Sequence, residues 1–333
     1  MKKILIFIAF GIIVVGYFAL SSNICKTTRL NIYNGQGLTS IQQTIENNPN
    51  IKTKTPLVLA LFIGNEISSI KAGSYELNAG MNNLEILKKL LSGSQTPIQL
   101  TFNNLRTKEQ LSAKLGNELM IDSLTIINAL NNKEIQQKYN LTDETIICLF
   151  LPDTYEVYWT ISAEDLIEKM HKEYLRFWNE TRIKKGKNIG KSKNEIITLA
   201  SIVEEESNWN SELSTIAGLY INRLRIGMPL QADPTIKFAV GDFSLKRITK
   251  RWIDLSAESP YNTYTHVGLP PGPIRIPSKK TIDAVLNYEK HQYIYMCAKP
   301  NREPGHNFAT NFNNHQNNAR AYQRYLNKIG VKK

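Results

Sequence analysis

The apolar positions of this chain change their period several times, and each period predicts a different element. Ile4 to Leu20 is an unbroken uncharged run behind Lys2 and Lys3. That length suits a short membrane-crossing helix or the core of an export signal. Further on, "LNIY" and "AGSYELN" alternate in the manner of strands, and Gly73 and Gly80 punctuate the second. Between them, "SIQQTI", with Thr39 as its cap, and "PLVLALFIG" read as helices. The order is β-α-α-β, and then a helix from Asn83 to Leu91 stopped by Gly93. This is a compact, separable unit.

From Thr96 to about Gly190 the pattern gives "TPIQLTFNNLRTKEQLSAKL", several short helices and the aromatic "CLFLPDTYEVYW". Tyr155 and Trp159 there read as packing residues. "GKNIGKSKN" is a polar break, and Ser192 to Arg225 reads as two helices. Beyond it the chain reads mostly as loop, with "QADPT", "YNTYTHVGLPPGPIRIPS" and "GHNFATNFNNHQNNARAY". Long irregular segments within a compact domain tend to be functional, so a ligand groove is expected here.

One stretch in this half carries candidate chemistry. "TLASIVEEESNWN" sets Glu204, Glu205 and Glu206 at the end of an apolar run. Ser192-Lys-Asn-Glu195 forms a capping box, so a helix begins near Lys193. At about 100° per residue, Ile196, Ile202 and Val203 fall within roughly 60° of Leu199. Glu206 lands about 20° from Leu199, inside that stripe, whereas Glu205 falls to the side and Glu204 nearly opposite. An inward carboxyl is desolvated, its pKa rises, and it becomes suited to donate a proton. The other reading ends the helix at Val203 and lets all three carboxylates fray into water. The pattern alone leaves both open.

Composition adds less. A net charge of +12 suits an acidic partner such as a membrane surface or an anionic polymer. No dense Lys/Arg block or nucleic-acid motif is present, so nucleic acid is set aside. Lys2 and Lys3 hold the N-terminus in the cytoplasm whether the apolar run is retained or cleaved. Bulky Tyr17 and Leu20 make a poor cleavage site, which favours a retained anchor over residues 4–22 behind a tail of residues 1–3. Cys148 and Cys297 sit in apolar surroundings and read as buried free thiols, with a disulfide left open. The five histidines show no metal-binding spacing, so no metal or other cofactor is expected.

The motifs "KAGSYEL", "LPDTYEVY", "LASIVEEES", "INRLRIGMPLQADPT", "YNTYTHVGLPPGPI" and "GHNF" stand in this order behind a Lys-led anchor. Together they resemble the endolytic murein transglycosylases, the MltG or YceG-like family, over most of the chain. That family's catalytic glutamate is the second in Ile-(Val/Ile)-Glu-x-Glu-(Thr/Ser), and the matching residue is Glu206, followed by Ser207. One departure is that "TFNNLR" lacks the Glu-Gly expected at that strand-to-helix step.

The resemblance implies an α+β chain: an N-terminal transmembrane helix, a LysM-like βααβ module over residues 28–95, and a transglycosylase domain over 96–333 with its core in 192–333. It implies a single-pass protein of the cytoplasmic (inner) membrane with its catalytic domain on the periplasmic, extracytoplasmic side. Its substrate would be peptidoglycan glycan strands and its partners cell-wall synthases, with a role in limiting nascent strand length. Such an enzyme cuts the MurNAc-GlcNAc bond with one glutamic acid and leaves a 1,6-anhydro end without water. The residues expected to support Glu206 are Asn222, Gln231, Asp233, Tyr261, Asn262, Tyr264, His306 and Asn311, because tyrosines stack on sugar faces and amides bond hydroxyl and N-acetyl groups. Two other classes remain open. A hydrolytic muramidase would use Asp233 or a nearby carboxylate to activate water, and a non-catalytic anchor would bind glycan through the LysM-like module alone.

Overall fold

The computed structural model describes residues 2–55, 70–207, 209–301 and 305–329. The elements run α1 (Lys2–Leu20), β1 (Thr28–Ile32), α2 (Leu38–Glu46), β2 (Gly73–Leu77), α3 (Asn83–Ser92), β3 (Ile98–Phe102), α4 (Lys108–Glu118), α5 (Ser123–Asn131), α6 (Lys133–Lys138) and β4 (Asp153–Val157). They continue with α7 (Ala163–Phe177), α8 (Glu180–Ile189), α9 (Lys193–Glu206), α10 (Leu213–Arg225), α11 (Asp233–Val240), α12 (Lys250–Leu255), α13 (Lys279–Leu286), β5 (Tyr295–Ala298), β6 (His306–Ala309) and α14 (Phe312–Lys328). The mixture of helices with short two-stranded sheets makes this an α+β chain. It divides into two compact units. The first holds residues 1–100, 115–122 and 154–162, and the second holds the remainder.

In the first unit β1 and β2 pair antiparallel, from Thr28 opposite Leu77 to Ile32 opposite Gly73. Alternation sends Leu30, Ile32, Tyr75 and Leu77 inward, where they meet Ile41 and Ile45 of α2 and Ile86 and Leu90 of α3. Each such aliphatic burial contributes roughly 1.5–3 kcal/mol. Helix α3 is fixed at both ends. Asn82 and Glu85 form a capping box, and Gly93 takes the left-handed φ of 68° that lets the chain turn away. Helix α2 starts earlier than its polar residues suggest, with Gly37 at the cap, so Thr39 lies within the first turn. The helix expected over "PLVLALFIG" lies outside the described residues. Tyr155 and Trp159 are buried, and the Trp159 ring meets Tyr33 edge-on at 4.7 Å.

Helix α1 is apolar all round, and its side chains from Ile4 to Leu20 are mostly exposed. Among the described residues no helix is long and apolar enough to cross a membrane. The uncharged run reaches about 25 Å at the helical rise, somewhat less than the roughly 30 Å hydrocarbon core of a bilayer.

The second unit is organised around α9. Its Ser192–Glu195 capping box is present, and the helix extends through Glu206 rather than ending at Val203. Every residue from Ile196 to Val203 is buried, because α10, α11 and α13 pack around it. The Ser201 hydroxyl stays internal: its Oγ donates to the Thr198 carbonyl and accepts from the Ile274 amide. The segment after Arg225, expected to be mostly loop, instead forms four helices and the antiparallel β5–β6 hairpin. All three cysteines are free. Cys148 is buried, Cys297 is half-buried rather than buried, and Cys25 is exposed.

Candidate functional site

The last turn of α9 delivers Glu206 into a cleft of about 510 Å³. Ser207 and Trp209, the β5–β6 residues Ala298, Lys299, Gly305 and His306, and Tyr322 and Tyr325 of α14 line it. Helix α10 supplies the partner from behind. Ile216, Tyr220 and Arg223 follow one another at i+4 and i+3, so they share a face. Tyr220 uses that position to donate its hydroxyl to Glu206 Oε1 at 2.7 Å. Arg223 is buried, with Nε donating to the Ile294 carbonyl and Nη1 to that of Leu230, each at 2.6 Å.

Desolvation dominates at Glu206 and raises its pKa from 4.5 to about 7. The Tyr220 hydrogen bond opposes this by favouring the anion, the charge of Asp233 reinforces it, and Arg223 and Lys237 pull it back. Burial and the neighbouring Glu206 carboxyl push the Tyr220 phenol well up, so it remains a donor. The arrangement is a carboxyl poised between its two protonation states at neutral pH, open on one side to a cleft and anchored on the other by a phenol.

Glu204 and Glu205 do not face water. Glu204 accepts from the Ser278 amide at 2.7 Å and the Thr281 hydroxyl at 2.6 Å, and it pairs with Arg275 at 3.2 Å. Glu205 pairs with both Arg275 and Arg106 at 2.9 Å. The cause is that α9 has no wet face, so carboxylates pointing away from the Leu199 stripe meet arginines instead of solvent. Asn104 also belongs to this network, its Oδ1 accepting from Arg275 Nη2 at 2.8 Å. Its φ is +52°. Asn104 therefore holds a left-handed turn in "TFNNLR", which asparagine tolerates better than most residues.

The expected supporting residues separate into two groups. His306 lines the Glu206 cleft. Asp233 and Tyr264 belong with Glu206 electrostatically, and the Tyr264 hydroxyl donates to Asp233 Oδ1. Tyr261 packs against Phe238 with the rings tilted by 44° and their centroids 4.6 Å apart. Gln231 is exposed on a left-handed backbone with φ +48°.

The other three are occupied elsewhere. Asn262 is 0% exposed; it donates to the Ile253 carbonyl and Ser256 and accepts from the Tyr264 and Thr265 amides. Asn222 points off the α10 face opposite Tyr220 and clamps the carbonyls of His291 and Tyr293. Asn311 caps α14 by accepting from the Asn314 amide. The cleft wall is thus formed by the β5–β6 hairpin with α14. Tyr220, Trp209, Glu212 and Tyr322 are neighbours that pattern reading passed over. Among the described residues no group of three His, Cys, Asp or Glu side chains comes together to hold a metal ion.

Known proteins resemble this chain over most of its length. The family model described as YceG-like matches residues 30–321. An endolytic murein transglycosylase of Bacillus subtilis is 31% identical over 305 residues, covering 83% of this chain and 80% of that protein. A protein of the same name from Streptococcus pneumoniae is 27% identical over 84% of this chain, which spans only 55% of that longer relative. A crystal structure of a yceG-like protein from Listeria monocytogenes superposes with a TM-score of 0.59 at 25% identity, covering 88% of this chain and 98% of that one.

Proposed function

Because this chain belongs to the YceG-like family, we propose that it is a membrane-anchored peptidoglycan lytic transglycosylase that cuts within glycan strands, with Glu206 as its acid and base. The partly buried Glu206 carboxyl, with its pKa at about 7 in an open cleft, is the observation that carries this reading. The reaction needs one group that gives a proton and then takes one back. Protonated Glu206 donates to the glycosidic oxygen as the bond from the N-acetylmuramic acid anomeric carbon breaks. The 6-hydroxyl oxygen of the same sugar closes onto that carbon, and its proton passes to the Glu206 carboxylate. A 1,6-anhydro end forms and the enzyme is restored. Tyr220 holds Oε1, which leaves the other oxygen for the travelling proton. Asp233 and Tyr264 supply polar support near the acid, and His306 contacts the glycan.

The test is digestion of purified murein by the full-length protein, followed by mass spectrometry of the ends. Anhydro ends are expected. Reducing ends would transfer the chemistry to hydrolysis, in which Asp233 or a nearby carboxylate would activate water.

Two predictions arise here. The first concerns pH: kcat/KM should fall as pH rises through about 7, as the protonated form of Glu206 is lost. Folding stability should move the same way. The folded carboxyl binds its proton more tightly than the unfolded one, so stability present below pH 4.5 is lost between pH 4.5 and about 7. The shift is worth up to about 3 kcal/mol. Glu206→Gln should therefore gain stability relative to wild type at pH 8 but not at pH 4, as read by urea denaturation. An equal difference at both pH values would remove the buried-acid account.

The second concerns placement. An apolar helix with no polar face needs apolar surroundings. Exposed Cys25 follows the helix and should react in spheroplasts with a membrane-impermeant maleimide. Labelling only after lysis would contradict an extracytoplasmic domain. The β1–β2 pair with α2 is read as a LysM-like glycan-binding module, and cell-wall synthases as the partners beside which strand length is set.

A further inference from the structure

Glu212 has no part in the proton transfers described above, yet the chain is built around its carboxylate. It is 9% exposed at the start of α10. Its Oε1 accepts the His306 backbone N–H at 2.7 Å, and its Oε2 lies 3.1 Å from His306 Nδ1. Gly305 has φ +123°, and a Cβ there would come within 2.5 Å of Glu212 Oε1. A side chain at position 305 would meet both backbone strain and this oxygen. The Glu212 carbonyl accepts from the Ile216 amide at 2.8 Å, so its carboxylate sits where the unpaired amides of a helix start favour negative charge.

These contacts determine where the imidazole proton lies. An ionised carboxylate only accepts, so the Nδ1 contact uses a proton on the ring. Neutral His306 then carries its lone pair on Nε2. His306 lines the cleft that Glu206 enters, and its bonds to Glu212 use the backbone N–H and Nδ1, which leaves Nε2 for a ligand in that cleft. That nitrogen is an acceptor in a cleft suited to a hydroxyl-rich ligand.

We propose that Glu212 is a positioning residue that fixes His306 as its Nδ1–H tautomer, so that Nε2 accepts a hydrogen bond from a hydroxyl of the glycan held at Glu206. This rests on the glycan-cleaving reading above. The contact exists in the bound ground state and persists through the reaction, so it acts on KM rather than kcat. In Glu212→Gln the amide oxygen still accepts the His306 backbone N–H, while the amide nitrogen turns a donor toward Nδ1. The ring proton is driven to Nε2, and the cleft acquires a donor where it had an acceptor.

The experiment is performed on the full-length protein in detergent micelles. Nitrogen-15 spectra of labelled histidine at pH 8, assigned with His306→Gln, should show Nδ1 protonated in wild type and Nε2 protonated in Glu212→Gln. With soluble glycan oligomers, Glu212→Gln should raise KM about tenfold or more at near-constant kcat, the scale of an unsatisfied polar group. His306→Gln keeps an acceptor that Glu212 does not orient. In that background Glu212→Gln should change KM little, whereas damage to the fold would add to it. An Nε2-protonated wild type, or a wild-type KM in Glu212→Gln, overturns the proposal. If wild type leaves glycan uncut and unbound, the reaction and the glycan contact fall together, and the spectra still decide what Glu212 does to the ring.

Discussion

Replacing Glu206 by glutamine should lower glycan cleavage by at least about a hundredfold, the scale of lost general acid catalysis, and leave the fold intact. Glutamine keeps the shape and can still accept from the Tyr220 hydroxyl, which donates to Oε1 at 2.7 Å. What it lacks is a transferable proton, and both halves of the proposed reaction need one. The ionisation cost of the change is small, because the carboxyl is itself about half protonated at pH 7. Turnover measured by release of anhydro ends, together with thermal melting, separates lost chemistry from lost structure. Full activity in Glu206→Gln would sink the mechanism. Equal loss at Glu204 and Glu205 without loss of stability would show that the triplet is not divided between chemistry and support.

Arg275→Met should cost the second unit about 3–5 kcal/mol, the penalty for breaking a buried ion pair by removing one partner. Arg275 is 9% exposed and joins Glu204, Glu205 and Asn104. Without it two adjacent carboxylates remain in a poorly hydrated place. Glu205 keeps Arg106, and Glu204 keeps the Ser278 amide and Thr281 hydroxyl. Arg275→Lys should recover only part of the loss, since a single ammonium does not reproduce the planar fork that reaches three acceptors. The urea midpoint of the full-length protein is the readout, and an unchanged midpoint for Arg275→Met would refute the account. Activity should fall along with stability, because the same helix end carries Glu206.

Much of this centre was legible in the sequence because it rests on helical period and capping. The Ser192–Glu195 box and the 20° offset between Leu199 and Glu206 are one-dimensional facts, and the helix follows them. That Glu204 and Glu205 meet arginines rather than water was not legible, for a physical reason. The run Ile196–Val203 contains no charged position, so the helix was buried all round and had no solvent side to offer them. Helix α14 was hidden differently. "FNNHQNNARAYQRYLNK" is rich in asparagine, which favours turns by local propensity, yet tertiary packing forms a helix whose Tyr322 and Tyr325 reach the cleft. Asn222, Asn262 and Asn311 had the chemistry of sugar binders, but composition cannot reveal that a carbonyl, a turn or a helix end has already claimed each amide. Nor does chain order reveal that residues 115–122 and 154–162 join the first unit.

The two arginine-bound carboxylates beside Glu206 index α9 in rotation, as a keyway indexes a shaft. Glu204 and Glu205 leave the helix on either side of Glu206 and seat against a shared Arg275, with Arg106 as a second partner for Glu205. Inserting or deleting one residue between Lys193 and Val203 would turn the helix end by about 100°. The acid would leave the cleft and both seats would empty at once. Substitutions that keep the length of α9 leave the indexing intact, so over evolutionary time this helix should admit changes of side chain far more readily than changes in residue count.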